Sequence, residues 1–429
     1  MLVNKRLFTD QISETKIQIS SINENFYPWL LRASERIFSI AAGYRVARIA
    51  PLIMKVGFAK TLFAVNELGV DIESRKPFVF FGPDGTVTFN NIRLNRGYSY
   101  GCIIKSDYNG LIAPDSMPNG CGFSIYELHD DLSDDKRIKL INKKQKELGK
   151  EHIQQLGKGN HFAGVYTVLD KTTGEDTDKR FVVVHCSGHE GTNFLYEPNS
   201  WLSDTEGYYR IDTPHGPVTL LDGFAKQKYL EKYFISEKRN ASNRTDVMED
   251  VFGSNKFTIL EEICHQGLSE DGKIHKLGSQ IHEGLQPIAF NPEEGLIAIT
   301  AKKSLKSSFL DSWDIINLEQ QKTYYSELKT LNTTPHGGGY EMKYPINEFI
   351  INLDKTGIKN FDITFGKNIK EPKLQFTAKS FREIRENITY RRKLAIMKEV
   401  FKADLAEHVY DLSPNKQIYP LVTIPGGTH

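Results

Sequence analysis

A glycine-rich turn, Leu156-Gly157-Lys158-Gly159-Asn160-His161-Phe162, opens an apolar run that continues to Leu169. A polar loop, Lys171 to Lys179, separates it from a second apolar run, Phe181 to Val184, which ends in His185-Cys186-Ser187-Gly188-His189. Two apolar runs about a polar loop that contains Gly174 predict a β-hairpin. Paired residues of such a hairpin sum to a constant. A loop centred on Thr173 sets His161 opposite His185, and one centred on Glu175 sets it opposite His189. Either register brings two imidazoles to the open end of the hairpin, with Cβ atoms roughly 5 Å apart. That arrangement suits a metal ion held between strands, and the rest of the chain must then supply the remaining ligands.

The chain has 429 residues, enough for one large domain or several smaller ones. Its net charge is +1, so no global field draws it to nucleic acid or to a membrane, and an RNA partner needs a local basic groove. The four cysteines, Cys102, Cys121, Cys186 and Cys264, are too scattered for a disulfide scaffold and predict reduced thiols in a cytoplasmic setting. The start of the chain lacks the basic stretch and apolar core of a signal peptide. The most apolar region, Phe26 to Val70, is interrupted by Arg32, Glu35, Arg36, Arg45, Arg48 and Lys55. It therefore does not offer the ~18 uncharged residues of a spanning helix.

Apolar residues at helical spacing (Leu30, Ala33, Ile37, Ile40, Ala41), punctuated by Pro28, Gly43, Pro51 and Gly57, predict an N-terminal helical cap over residues 1–75. The period changes from Lys76, where residues 76–429 begin a second unit. Phe78 to Phe81, Thr86 to Phe89 and Cys102 to Ile104 read as short strands, with a turn at Gly82-Pro83-Asp84-Gly85. Cys121 follows in a Gly-rich polar loop, and Asp130 to Gln155 is a charged helix. Residues 267–294 read as loop, Leu296 to Thr300 and Tyr344 to Leu353 as strands, and Phe376 to Ala406 as a strong, locally basic helix. His265 reads as projecting from a helix end, and His336 lies in a second Gly-rich turn, Pro335-His336-Gly337-Gly338-Gly339. The fold class expected is α+β: mixed strands around a metal site, a helical cap and C-terminal helices. One thiol and several imidazoles beside Gly-rich turns form a donor set for Mn²⁺, Fe²⁺, Co²⁺ or Zn²⁺.

Taken in order, these segments resemble the motifs of the RtcB family, the GTP- and manganese-dependent ligases that join an RNA 3′-phosphate to a 5′-hydroxyl in tRNA splicing or RNA repair. Gly97-Tyr98-Ser99-Tyr100-Gly101 is similar to the glycine-rich stretch before the family's metal cysteine. Asn119-Gly120-Cys121-Gly122 resembles its Asp-Ile-Asn-Cys-Gly segment, and Gly157 to Phe162 its Gly-Gly-Gly-Asn-His-Phe motif. His185 onward, His265-Gln266 and Pro335 to Gly339 resemble the remaining histidine motifs. The resemblance covers roughly residues 76–345, with the last fifteen a weaker match. It implies that Cys121 bridges two Mn²⁺ ions, His161 binding one and His185 and His265 the other. It also implies that His336 carries GMP from GTP, with Asn160, Gln266, Gly337, Gly338 and Gly339 beside the nucleotide. The implied partner is RNA with 3′-phosphate and 5′-hydroxyl ends, with or without an accessory protein.

The chain departs from the family at four places, one of them Ala301-Lys302-Lys303-Ser304, which aligns poorly with the family's Pro-Gly-Ser-Met-Gly loop. Pro118 stands where the family has a metal-binding Asp, so either Asp115 substitutes or the second metal site is lost. Tyr340 stands at an arginine position, and Pro425 at the C-terminal lysine that contacts the nucleotide. The rivals to a ligase are therefore a metal-binding relative without guanylation, acting as a phosphoesterase or RNA-binding factor, and a purely structural metal protein. Lys302, Lys303 and Lys306, and the stretch from Arg382 to Lys398, are the expected RNA-facing cations.

Overall fold

A computed structural model of the protein describes residues 16–41, 45–151, 160–187, 193–291, 293–311, 318–331, 333–366 and 372–414. The expectations for Gly157 to Gly159, His189 and Pro425 lie outside the described residues. The fold is α+β. Its seven-stranded sheet runs in the spatial order Phe257–Gln266, Cys121–Leu128, Asp176–Cys186, Phe162–Asp170, Ala406–Pro414, Leu296–Ala301 and Leu285–Ala289. Every pairing in it is antiparallel.

Two-residue alternation divides the strands between two cores. Phe123, Ile125, Phe162, Tyr166, Phe181 and Val183 fill one face. Tyr126, Ala163, Val165, Val182 and Val184 fill the other, against Val247 and Met248 of the helix Gly223–Phe252. The hairpin of Phe162–Asp170 and Asp176–Cys186 forms as expected, but its register pairs Phe162, not His161, with His185. Between the pairs Thr167–Arg180 and Leu169–Asp176 the returning strand spends two more residues than its partner. Asp178 sits in that irregularity with φ of 63°. Such a bulge shifts every pair beyond it.

Tyr27–Ser34 and Val46–Glu67 are the helices expected of the N-terminal cap, with a short further one at Ile72–Arg75, whereas Ile37, read at helical spacing, lies on a strand. The first 75 residues also add strands that periodicity did not disclose. Lys16–Ser20 pairs in parallel with Ile346–Asp354, and Ile37–Ser39 in parallel with Phe78–Thr86. One core joins Ile17, Ile53, Phe81 and Phe361. Contrary to the expectation from its charged residues, the Val46–Glu67 helix is by length and composition apolar enough to cross a membrane, but 78% of its apolar window is buried inside the fold.

The basic helix expected from Phe376 to Ala406 is not one helix. A strand, Pro372–Ala378, is followed by a short strand, Ile388–Tyr390, and a helix confined to Lys393–Lys402. Aromatic burial overrides helix propensity there: Phe376 pairs with Ile363 across two strands, and Phe381 stacks on Phe361 with centroids 4.5 Å apart. His265 lies on a strand, Phe257–Gln266, and not at a helix end. Residues 267–294 hold three short strands, Ile274–Leu277, Ser279–Gln280 and Leu285–Ala289.

His275, on Ile274–Leu277, is buried with Nδ1 2.8 Å from Ser116 Oγ. Burial pushes its imidazole down to about 4. The unfolded chain therefore binds an extra proton between pH ~6.5 and the folded value. The stability this represents, up to ~3 kcal/mol, is fully present above pH ~6.5 and is lost as pH falls toward 4. His275→Gln is expected to flatten that acid limb in urea unfolding followed from pH 7 to pH 4. An identical pH dependence in the variant would contradict this.

Candidate active site

The sheet's upper ends gather the site. Cys121 begins its strand, where its backbone N–H donates to Asn119 Oδ1 at 3.0 Å. The carbonyl of Gln266 accepts from the amides of Asn119 and Gly120, at 3.3 and 2.8 Å. His185 pairs directly with both Phe123 and Phe162, and its ring stacks on Phe123 with centroids 4.4 Å apart. Alternation sends the next residue, Cys186, to the opposite core, away from the site. His265 lies between the pairs Cys264–Gly122 and Gln266–Cys121, the unpaired residue of a bulge. A bulge of this kind re-aims a side chain. The His265 ring comes to 5.0 Å from Phe123 and 5.1 Å from His185, centroid to centroid.

The result is a buried chain of donors. Cys121 Sγ is 3.5 Å from His161 Nε2 and 3.3 Å from His185 Nε2, and His185 Nε2 is 3.3 Å from His265 Nε2. Donor atoms of Cys121, His161 and His185 lie within 4.8 Å of one another. Around a tetrahedral ion with the usual bond lengths of about 2.3 Å to sulfur and about 2.0 Å to nitrogen, neighbouring donors stand roughly 3.3–3.6 Å apart. These three residues therefore fit one divalent ion. His185 Nδ1 donates to the Asn160 carbonyl at 2.8 Å, which leaves the Nε2 lone pair facing the cluster. Asn160 thus orients a ligand through its backbone while its own residue stays exposed.

Burial dominates the electrostatics. It pushes the Cys121 thiol well up, against a smaller downward pull from Arg244. It pushes His185 down to about 3, although the bond to Asn160 raises it. His265 is held well below the usual imidazole range by burial, then by His336 and His185. At neutral pH the thiol is therefore protonated and both imidazoles are neutral. A bound cation reverses the thiol's preference and releases its proton.

His336 closes the chain, its ring 4.7 Å from that of His265. The other three histidines are at most 3% exposed, whereas the His336 side chain keeps 17%. Its Nδ1 is 2.7 Å from Asp84 Oδ2, which also accepts from its backbone N–H at 3.1 Å. With Nδ1 donating to a carboxylate, Nε2 carries the lone pair. Asp84 is fully buried. It arrives there because Phe81 pairs with Cys102 and Thr86 with Tyr100, so residues 82–85 swell out of the strand opposite Gly101. Arg391 ties that swelling down, donating to the carbonyls of Gly85 (2.7 Å) and Pro83 (3.3 Å).

The three glycines after His336 have packing reasons of their own. A Cβ on Gly337 would lie 2.8 Å from the Ala289 carbonyl oxygen, on Gly338 2.8 Å from that of Arg391, and on Gly339 (φ +65°) 2.6 Å from that of Asp84. No family model matches this chain, and no curated protein matches it.

The sequence assigned no role to four residues that hold the site. Asp84 was legible only as part of a turn. Tyr100 receives a hydrogen bond from Gln266 Nε2 at 2.9 Å and lies against Arg93. Asn240 Nδ2 donates to the Asn119 carbonyl at 2.9 Å. Arg244, fully buried, donates to the Cys186 carbonyl and Ser124 Oγ, each at 2.8 Å, and pairs with Glu262. Asp115 is committed elsewhere: Oδ2 accepts from the Thr219 amide at 3.1 Å and Oδ1 is 3.6 Å from Arg96.

Proposed function

We propose that the protein is an RNA ligase that joins a 3′-phosphate (or 2′,3′-cyclic phosphate) end to a 5′-hydroxyl end through GMP carried on His336. The observation that carries the reading is the pairing of His336 with Asp84. It gives one imidazole of the cluster a fixed tautomer with the lone pair on Nε2, on a side chain that keeps access to solvent. A metal ligand needs no such opening, and a nucleophile does.

In the first step His336 Nε2 attacks the α-phosphorus of GTP. A P–N bond forms, the bond to pyrophosphate breaks, and Asp84 offsets the positive charge that builds on the ring. In the second step an oxygen of the RNA 3′-phosphate displaces the imidazole, which breaks the P–N bond and leaves an RNA-ppG end; a 2′,3′-cyclic end is first opened by water, which breaks the P–O2′ bond and frees the 2′-hydroxyl. In the third the 5′-hydroxyl attacks the RNA phosphorus, GMP leaves, and the hydroxyl proton passes to a base. A divalent ion on Cys121, His161 and His185, manganese in the family resembled, would neutralise phosphate charge during these transfers. Asn160, exposed beside the cluster, is assigned to the nucleotide. GTP-dependent sealing of RNA bearing these two ends tests the proposal, and failure to seal with every divalent ion would overturn it. Among the described residues no carboxylate joins the donor group, which favours one rival, a metal-binding relative that does not guanylate. That rival predicts metal content without any GMP label.

RNA binding draws on local cations. Arg391 is buried and Arg382 donates to the Phe89 carbonyl at 2.9 Å, so neither serves as a free surface charge. Lys302 is held by Asp404 at 2.7 Å. Lys303, 3.8 Å from the exposed carboxylate of Glu283, and Lys306 remain exposed. Replacing both by Ala is expected to lower the slope of log affinity against log salt for a single-stranded RNA by roughly 1.4. Filter binding at several salt concentrations reads this, and an unchanged slope would return both lysines to simple solvation.

A further inference from the structure

We infer that this centre holds one divalent ion per chain, of the zinc or cobalt class, and not a pair of manganese ions. The inference deepens the proposed function and rests on it in one respect, that His336 is kept for the nucleotide; the rest stands on the donor set.

His185 decides how many ions the donors can serve. Its Nδ1 proton is spent on the Asn160 carbonyl at 2.8 Å, so the ring offers a single lone pair, on Nε2. That nitrogen is near Cys121 Sγ (3.3 Å) and near His265 Nε2 (3.3 Å). One lone pair serves one ion. If His185 completes a site with Cys121 and His161, a second ion at His265 has that ring, a shared thiolate and, beside it, only His336, whose Nε2 the proposed function commits to the nucleotide. If it joins His265, the ion at His161 is equally poor. Two ions therefore require another ligand, and among the described residues no Asp or Glu belongs to the donor group.

Asp115, Glu262 and Asp84 each have a partner elsewhere in the fold. Pro118, buried three residues before Cys121, has no donor atom. Both oxygens of Asp115 face Thr219 and Arg96. Glu262 pairs with Arg244, and Asp84 holds His336 through Oδ2, its buried Oδ1 having no hydrogen-bond partner and standing outside the donor group. A thiolate with imidazoles and no carboxylate is a borderline-soft set. It binds zinc or cobalt well and manganese, which lies at the weak end of the divalent series, poorly. Three protein donors leave a fourth position open, the arrangement of catalytic rather than structural zinc sites.

The test is metal content. The full-length protein, stripped with chelator, is equilibrated with Zn²⁺, Co²⁺ or Mn²⁺, dialysed and assayed by elemental analysis. The expected result is one Zn²⁺ or Co²⁺ retained per chain and Mn²⁺ lost. The Co²⁺ form should show the intense visible absorption of tetrahedral coordination and a thiolate charge-transfer band. His161→Ala should lose the ion, whereas Pro118→Asp, which restores an oxygen donor, should raise the stoichiometry toward two. Two ions in the wild type, or manganese retained as firmly as zinc, would overturn the inference, as would a cobalt spectrum without thiolate charge transfer. None of these readouts involves GTP or RNA, so a failure of ligation leaves them intact and interpretable.

Discussion

His336→Ala should abolish both GMP labelling and RNA joining while leaving the metal content of the protein unchanged. The ring stands beside the donor cluster but outside the group formed by Cys121, His161 and His185. Its removal therefore takes the nucleophile and spares the ligands. The variant should still seal a chemically prepared RNA-ppG end, since the last step needs no nucleophile from the protein. Asp84→Asn should retain the ring and misdirect it: an amide in place of the carboxylate removes the charge that fixes the tautomer. Labelling is then expected to slow by about 10²–10⁴-fold. Undiminished labelling in His336→Ala would remove this residue from the chemistry.

The second large effect is expected at Arg244. This fully buried guanidinium joins three strands at once through the Cys186 carbonyl, Ser124 Oγ and Glu262. Arg244→Met removes one partner of a buried pair, a change that typically costs about 3–5 kcal/mol. Glu262 keeps 34% of its side chain exposed and is able to turn toward water, which sets the expectation at the lower end of that range. The same strands carry Cys121, His185 and His265, so the metal should also be held less tightly. Urea unfolding of the metal-free protein separates the two effects. A loss below ~1 kcal/mol would contradict a structural role for the guanidinium.

What was legible in the sequence follows from which interactions are local. The hairpin and the approach of His161 to His185 came from alternation over a few residues, and the error of register came from a bulge at Asp178 that has no apolar signature. Asp84 and His336 are 252 residues apart, and nothing in either segment advertises the other. The Gly223–Phe252 helix went unread for a different reason. Its buried face includes Ser236, Asn240 and Arg244, so the apolar period fails where the helix supports the site. The supposed basic helix near the C-terminus failed conversely, since Phe376 and Phe381 are committed to long-range aromatic packing that local propensity does not register.

The central claim is that His336 becomes covalently bonded to GMP, and peptide mapping tests it most directly. The wild-type protein, loaded in parallel with Zn²⁺, Co²⁺ and Mn²⁺, is mixed with GTP labelled at the α-phosphate, digested under alkaline conditions and mapped by mass spectrometry. The account predicts a single acid-labile GMP adduct on the peptide containing His336, formed with release of pyrophosphate. An adduct on a lysine, or no adduct with any of the three ions, would contradict it.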